Sequence, residues 1–289
     1  MIKMLFRNFE KSFEKELLVR EIYVKSILSK SGLYSIDYSI NPYLGCQHGC
    51  VYCYARFMKR FAKTERAWGE FVFAKINAAK VLTKEIKKIP QGSSILLSSV
   101  CDPYQPLEKR YKITQGILEK LLKNNFHKIY ILTKSSLVKR DINLLRKFKD
   151  IEVGFSLVHL SDKVQKIFEP NSSSPRERIE TLAALANEKI ATYLFVAPVL
   201  PKITENYVEN ILEKAKEVGV RYVFFDTLNL KSGNWKTIIN AIKLYDKDLE
   251  KTYSRILFDD VSRREYYLAF KKQAEDICKA LNLECLFTF

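Results

Sequence analysis

Three of the chain's six cysteines fall within eight residues, in Cys46-Gln-His-Gly-Cys50-Val-Tyr-Cys53, a CxxxCxxC spacing. Thiols this close together call for a metal before anything else. Three thiolates on one loop can each ligate one iron of a cubane cluster, which leaves the fourth iron without a cysteine. A buried electron-transfer cluster normally uses four cysteines, so a three-cysteine loop points to an open coordination position where a substrate or cofactor can chelate. Zinc is the competing metal, with Cys46, Cys50, Cys53 and His48 as four ligands, although a histidine inside so tight a loop strains tetrahedral closure.

Other reactive side chains are more dispersed. Cys101 stands alone, and Cys278 and Cys285 lie near the end of the chain. Their separation makes no motif for a second cluster, so Cys278 and Cys285 are read as packing cysteines. His127 and His159 have no partner in sequence and are assigned to packing or surface. Arg56, Lys59, Arg60 and Lys63 follow the cysteine loop at i, i+3, i+4 and i+7, one face of a helix, with Phe57, Phe61 and Trp68 interleaved. Such a stripe either grips phosphates and stacks a base or is a solvated helix face.

These groups need a scaffold, and the chain is long enough to build one. It has 289 residues, 47% apolar, with 49 basic and 33 acidic side chains for a net charge of +16. That composition excludes disordered, collagen-like and disulfide-scaffold proteins. The longest apolar run, Tyr193 to Leu200, is far short of the ~20 residues of a bilayer-crossing helix. Residues Met1 to Arg20 are charged throughout and lack the apolar stretch of a signal peptide, so the expected compartment is the cytoplasm, where thiols are kept reduced. The positive charge favours anionic partners such as nucleic acid or phosphorylated substrates.

Short β-branched or aromatic runs alternate with segments of helical spacing. Strands are predicted at Tyr38–Tyr43, Ser94–Ser99, Lys128–Thr133, Glu152–Leu157, Thr192–Val199 and Arg221–Asp226. Helices are predicted at Asn77–Ile89, Thr114–Asn124, Arg140–Phe148, Pro175–Asn187, Glu205–Val218 and Asn234–Leu244, with caps at Thr114, Ser174 and Thr204 and a stop at Gly219. Six βα units make a parallel sheet with helices outside, either doubly wound or an incomplete barrel. Residues 1–35 read as a charged helical extension and 36–250 as the main domain. Residues 251–289 read as a long helix, Asp259–Leu281, and a strand-like end, Leu283–Phe289, that pack on it.

The CxxxCxxC motif with Tyr52 before its last cysteine resembles that of the radical S-adenosylmethionine (SAM) superfamily. The stretch Asn41-Pro-Tyr-Leu-Gly-Cys-Gln-His-Gly-Cys-Val-Tyr-Cys-Tyr-Ala-Arg56 resembles more closely the branch related to spore photoproduct lyase and called DNA repair photolyase-like. The likeness continues in Trp68-Gly-Glu-Phe-Val, Asp102-Pro-Tyr-Gln-Pro-Leu-Glu108, Leu132-Thr-Lys-Ser135, Arg140-Asp141, Glu169-Pro170 and Ala197-Pro198.

That resemblance selects a partial (βα)6 TIM-type barrel over the doubly wound sheet. It implies a 4Fe–4S cluster on Cys46, Cys50 and Cys53, SAM chelated at the open iron, and reductive cleavage to a 5′-deoxyadenosyl radical that takes hydrogen from a substrate. An electron donor such as flavodoxin or ferredoxin is implied as a partner, and a nucleic-acid base or DNA lesion as a substrate. Lys134 is implied to pair with the SAM carboxylate. Ser99 and Ser156 would bond its methionyl or ribose groups, and Ala197 and Tyr52 would flank adenine. The chain departs from the superfamily at Ser98-Ser-Val-Cys-Asp102, where many members carry Gly-Gly-Glu. The lyases' hydrogen-donor cysteine aligns with Leu97, whereas here Cys101 stands four residues on, as a hydrogen donor or as a buried small hydrophobe. A non-catalytic nucleic-acid-binding protein stapled by iron–sulfur or zinc is the alternative.

Overall fold

The computed structural model describes residues 17–33, 35–230 and 233–289. Its strands are β1 (Leu18–Ile22), β2 (Leu28–Lys30), β3 (Tyr38–Ile40), β4 (Tyr43–Leu44), β5 (Phe71–Lys75), β6 (Ser94–Leu97), β7 (Lys128–Thr133), β8 (Ile151–Ser156), β9 (Ala191–Val199), β10 (Tyr222–Thr227) and β11 (Glu284–Phe287). The larger sheet runs β11-β10-β9-β8-β7-β6-β3-β2. All its neighbours pair in parallel except β2 with β3, so the six expected βα strands lie side by side as a partial (βα)6 barrel. These central strands were legible because helices cover the sheet and the strands read as apolar runs, with every residue of β8 buried.

Two strands stop earlier than their apolar runs suggest. The first breaks after Ile40 because Pro42 cannot donate to a ladder, and Tyr43–Leu44 turns away to pair with β5. The run Ser94–Ser99 ends at Leu97 because Ser98 takes a left-handed φ of 70°.

The helical extension expected over 1–35 is corrected where the residues are described. Leu18–Ile22 is a strand parallel to β5 and Leu28–Lys30 a strand antiparallel to β3. The backbone of β5 needs partners on both edges, and β1 and β4 supply them. Residues 1–16 of that expectation lie outside the described residues. At the other end, helix Asp260–Ala280 runs as expected, capped by Asp259, but a separate helix Leu249–Phe258 precedes it. β11 joins the sheet beside β10.

Helix Pro175–Asn187 starts as its sequence dictates, with Ser174 and Glu177 in a reciprocal capping box and proline in the first turn. Helix Val208–Glu217 buries Val208, Ile211, Leu212 and Ala215 and is followed by Gly219 at a φ of 74°. Two cap assignments are corrected. Thr114 lies inside helix Ile113–Leu122, where the buried Glu108 carboxylate accepts from the Thr114 and Gln115 N–H groups. Thr204 opens a 3-10 turn instead, its Oγ1 accepting from Leu200 N–H at 2.9 Å.

Cys278 and Cys285 are also corrected. They form a disulfide that ties the end of the last helix to β11, with Cα atoms 6.4 Å apart. This pairing removes them from any cluster with Cys101, whose thiol lies beside Ser98. Among the described residues, no helix is long and apolar enough to cross a membrane.

Candidate active site

The cysteine loop runs from β4 to a 3-10 turn at Tyr54–Met58, and its backbone is held on all sides. Gln105 Oε1 accepts from Gln47 N–H at 2.7 Å, and Asn171 Nδ2 donates to Gln47 O at 2.9 Å. Arg56 donates to the carbonyls of Cys50 and Val51, both at 3.1 Å. Thr237 Oγ1 donates to Val51 O and Asn234 Nδ2 to Tyr52 O. Gly49, at a φ of 63°, abuts Gly69; a Cβ on Gly69 would sit 2.8 Å from Gly49 Cα, so two backbones meet where side chains would collide.

Cys46 and Cys50 are buried and Cys53 is half-buried. Burial pushes the Cys50 thiol up to about 12, with Glu169 and Cys53 adding to the rise. Burial raises Cys46 as well, and so do the negative charges of Asp102, Cys50 and Cys53. Cys53 is raised by burial against the opposing pull of the Ala55 N–H and Trp68. Three soft donors concentrated in one dry loop fit a thiolate-bound cluster, whose iron would displace the protons. A zinc set completed by His48 fits less well, because His48 Nδ1 faces Asp102 Oδ2 at 3.4 Å. Among the described residues, no three His, Cys, Asp or Glu side chains close to the spacing of a single metal ion.

Opposite the loop lie the C-terminal ends of the strands, where barrels of this type carry their chemistry. Lys134, just past β7, donates from Nζ to Ser156 Oγ at 2.8 Å, and Ser156 Oγ donates to Ala197 O at 3.0 Å. Three residues selected from the sequence thus form one hydrogen-bonded chain across β7, β8 and β9. The ammonium also lies 5.7 Å from the centre of the Tyr52 ring, which brings the cysteine loop against the chain. Ser99 stands apart, bonded to Asn41 through both its N–H and its Oγ. Cys101 is half-buried beside it, 3.3 Å from Ser98 Oγ, with its thiol pushed up to about 11, chiefly by burial.

Two buried carboxylates support this arrangement. Asp102 accepts from Thr133 Oγ1 at 2.7 Å, from Lys134 N–H at 2.8 Å and from Tyr104 N–H at 2.8 Å. Burial opposes its charge, but His48, Thr133 and the Lys134 N–H outweigh that and lower its pKa. Glu169 accepts from the Tyr52 hydroxyl and from Arg178, all three groups buried. His159 is fully buried 3.8 Å from Glu169, beyond hydrogen-bond reach, so it is not a surface residue. Sequence spacing alone assigns these carboxylates no role. Asp102 and Glu169 lie in stretches that carry the family resemblance, but partners as distant as Tyr52 leave no local signal.

The basic stripe is corrected. Arg56 lies in a 3-10 turn, and only one α-helical turn, Lys59–Ala62, follows before Lys63 reverses at a φ of 46°. Three residues per turn rotate Arg56 off the expected face, onto the loop carbonyls. Lys59 Nζ donates to Glu65 O. Arg60 and Lys63 remain exposed, with the Arg60 guanidinium stacked 4.6 Å from the exposed Phe61 ring and 5.5 Å from Phe57.

The profile described as the Radical SAM superfamily matches residues 40–215, from β3 through most of the helix after β9. An uncharacterized protein of Methanocaldococcus jannaschii is 37% identical over 213 residues, 73% of this chain and 78% of its own. A radical SAM Nalpha-GlyT isomerase of Pseudomonas phage M6 is 27% identical over 184 residues, 63% of this chain and 37% of its own. Among solved structures, a spore photoproduct lyase variant with bound AdoMet and dinucleoside spore photoproduct superposes with a TM-score of 0.68. It shares 16% identity, over 94% of this chain and 82% of that one, a likeness of fold.

Proposed function

Because the chain belongs to the radical SAM superfamily, we propose that Cys46, Cys50 and Cys53 hold a 4Fe–4S cluster and that the strand ends facing it bind SAM. When bound, the reduced cluster supplies the electron that cleaves SAM to methionine and a 5′-deoxyadenosyl radical, which takes hydrogen from the substrate. The observation that carries this reading is the Lys134–Ser156–Ala197 chain lying against Tyr52 of the cysteine loop. Lys134 provides a positive charge for the SAM carboxylate, already oriented by Ser156. Ser156 offers its hydroxyl within this chain, Ser99 offers one from its separate place beside Asn41, and Ala197 leaves space for adenine beside its backbone. The residues that hold the loop carbonyls fix the thiols before any ligand arrives, which limits the reorganisation a reaction would require.

The substrate in this reading is a nucleic acid. The net charge of +16 and the exposed Arg60–Phe61 pair, a few residues after Cys53, support it, because phosphates and bases need cations and aromatic faces. Cys101, on the loop after β6, is the candidate to return a hydrogen atom to the substrate. The electron would come from a donor of the flavodoxin or ferredoxin type, and the cytoplasm is the compartment this reading assumes. Deuterium in candidate substrates tests the reading. Transfer from a labelled oligonucleotide to 5′-deoxyadenosine is expected, and transfer from a peptide or small molecule instead would contradict it.

A further inference from the structure

The segment from Phe168 to Arg178 touches the cysteine loop and the ends of β7 and β8 without contributing a ligand to the proposed cofactor site. Its first residue, Phe168, accepts from Val51 N–H at 3.0 Å, between the second and third cysteines. Glu169 accepts from the Tyr52 hydroxyl. Asn171 donates from Nδ2 to Gln47 O at 2.9 Å, between the first and second cysteines. Ser173 N–H donates to Lys134 O at 3.1 Å and Arg178 to Ser156 O at 2.8 Å, at the ends of β7 and β8. The cysteine loop and two strand ends therefore share one mount.

The mount is built from its sequence outward. Helix Asp162–Phe168 ends at Glu169, and Gln165 Nε2 holds the following turn by donating to Glu169 O at 3.1 Å and Ser172 O at 3.0 Å. The Ser174–Glu177 capping box and Pro175 set the start of the next helix, so Arg178 enters on its first turn at a fixed angle. From there its guanidinium reaches Ser156 O, Ser173 O and the Glu169 carboxylate together. Buried ion pairs are often no more stabilising than apolar side chains of the same volume, so stability alone does not account for the fully buried Arg178–Glu169 pair.

We infer that Glu169 and Arg178 are positioning residues that lock Tyr52 of the cysteine loop to Lys134 and Ser156, so that the cluster and the SAM carboxylate site keep a fixed separation. Glu169 fixes the Tyr52 ring by its hydroxyl, and that ring lies beneath the Lys134 ammonium. Arg178 fixes the end of β8 by its carbonyl, and Ser156 Oγ in turn accepts from Lys134. One ion pair thereby sets both contacts of the ammonium. The inference rests on the assignment of Tyr52, Lys134 and Ser156 to the cofactor.

The test compares parent, Tyr52→Phe, Glu169→Gln and Lys134→Ala after anaerobic reconstitution. It measures iron and sulfide per chain, SAM affinity, and the change in the reduced cluster's EPR spectrum when SAM is added. Tyr52→Phe removes one hydroxyl and leaves the ion pair intact, so it decides the test alone if Glu169→Gln does not fold. Both variants should keep the parental cluster content, lose about 10-fold in SAM affinity, as expected for one hydrogen bond to a charged group, and show a weakened or broadened SAM-induced spectral change. A Tyr52→Phe protein with parental affinity and spectrum, beside a Lys134→Ala protein that loses both, overturns the mount and leaves the cofactor site standing. A parent whose spectrum does not respond to SAM overturns both.

Discussion

Lys134 and Ser156, 22 residues apart in sequence, meet at 2.8 Å where β7 and β8 end, so the Lys134 ammonium is aimed before a ligand binds. An ammonium held this way interacts with a carboxylate as a charge-assisted pair. Lys134→Ala should lower SAM affinity by roughly 10- to 100-fold with cluster content unchanged, measured by equilibrium binding to the reconstituted protein. Parental affinity would remove Lys134 from the site.

Asp102 makes the apo protein's stability depend on acid. Burial works against its charge, but His48, Thr133 and the Lys134 N–H hold its pKa below the ordinary 3.8. A depressed carboxylate contributes stability that is fully present above its unfolded pKa and is lost as pH falls through the lower folded value. The parent should therefore be more stable than Asp102→Asn at neutral pH, and the gap should narrow as the pH drops below 3.8. Urea midpoints at a series of pH values measure this; a gap independent of pH would contradict it.

The cations after the cysteine loop should separate by function. Arg60→Glu with Lys63→Glu should flatten the salt dependence of oligonucleotide binding, by roughly 0.7 to 0.9 in log–log slope for each phosphate that is no longer neutralised, with cluster content unchanged. Arg56→Glu should instead reduce cluster retention, because Arg56 holds the carbonyls of Cys50 and Val51. Equal effects of the two changes on cluster and binding would show that the surface is not divided in this way.

Gly154 lies in the middle of β8, where a Cβ would meet the Tyr193 ring at 2.2 Å. That ring cannot easily retreat, since its hydroxyl donates to Ile131 O and its face stacks on Tyr222 at 5.3 Å. Gly154→Ala should cost about 1–3 kcal/mol by overpacking, read as a lowered Tm of the apo protein. An unchanged Tm would mean that the strand and ring shift apart freely.

The parts of this protein that read directly from sequence are those whose signal is local. Ser99, Lys134, Ser156 and Ala197 are legible as lying near the ends of apolar runs, their cofactor roles come from the family resemblance, and only the last three meet in the fold; the cysteine loop is legible by its spacing. β5 escapes such a reading although Phe71-Val-Phe-Ala is strongly apolar, because a short strand in a separate small sheet lies outside the βα alternation. The stripe at Arg56 misleads because helical spacing assumes 3.6 residues per turn, and the chain there begins as 3-10. Glu169 and Arg178 carry no periodic signal. Their meaning comes from Tyr52, 117 residues before Glu169, which only the fold brings to them.

The central claim is that the cysteine loop and the strand ends act together on SAM. Anaerobically reconstituted protein, reduced with dithionite and given SAM, should release 5′-deoxyadenosine and methionine in equal amounts, and Cys46→Ala, Cys50→Ala and Cys53→Ala should each release none. A fully loaded cluster in the parent that yields no 5′-deoxyadenosine would contradict the account.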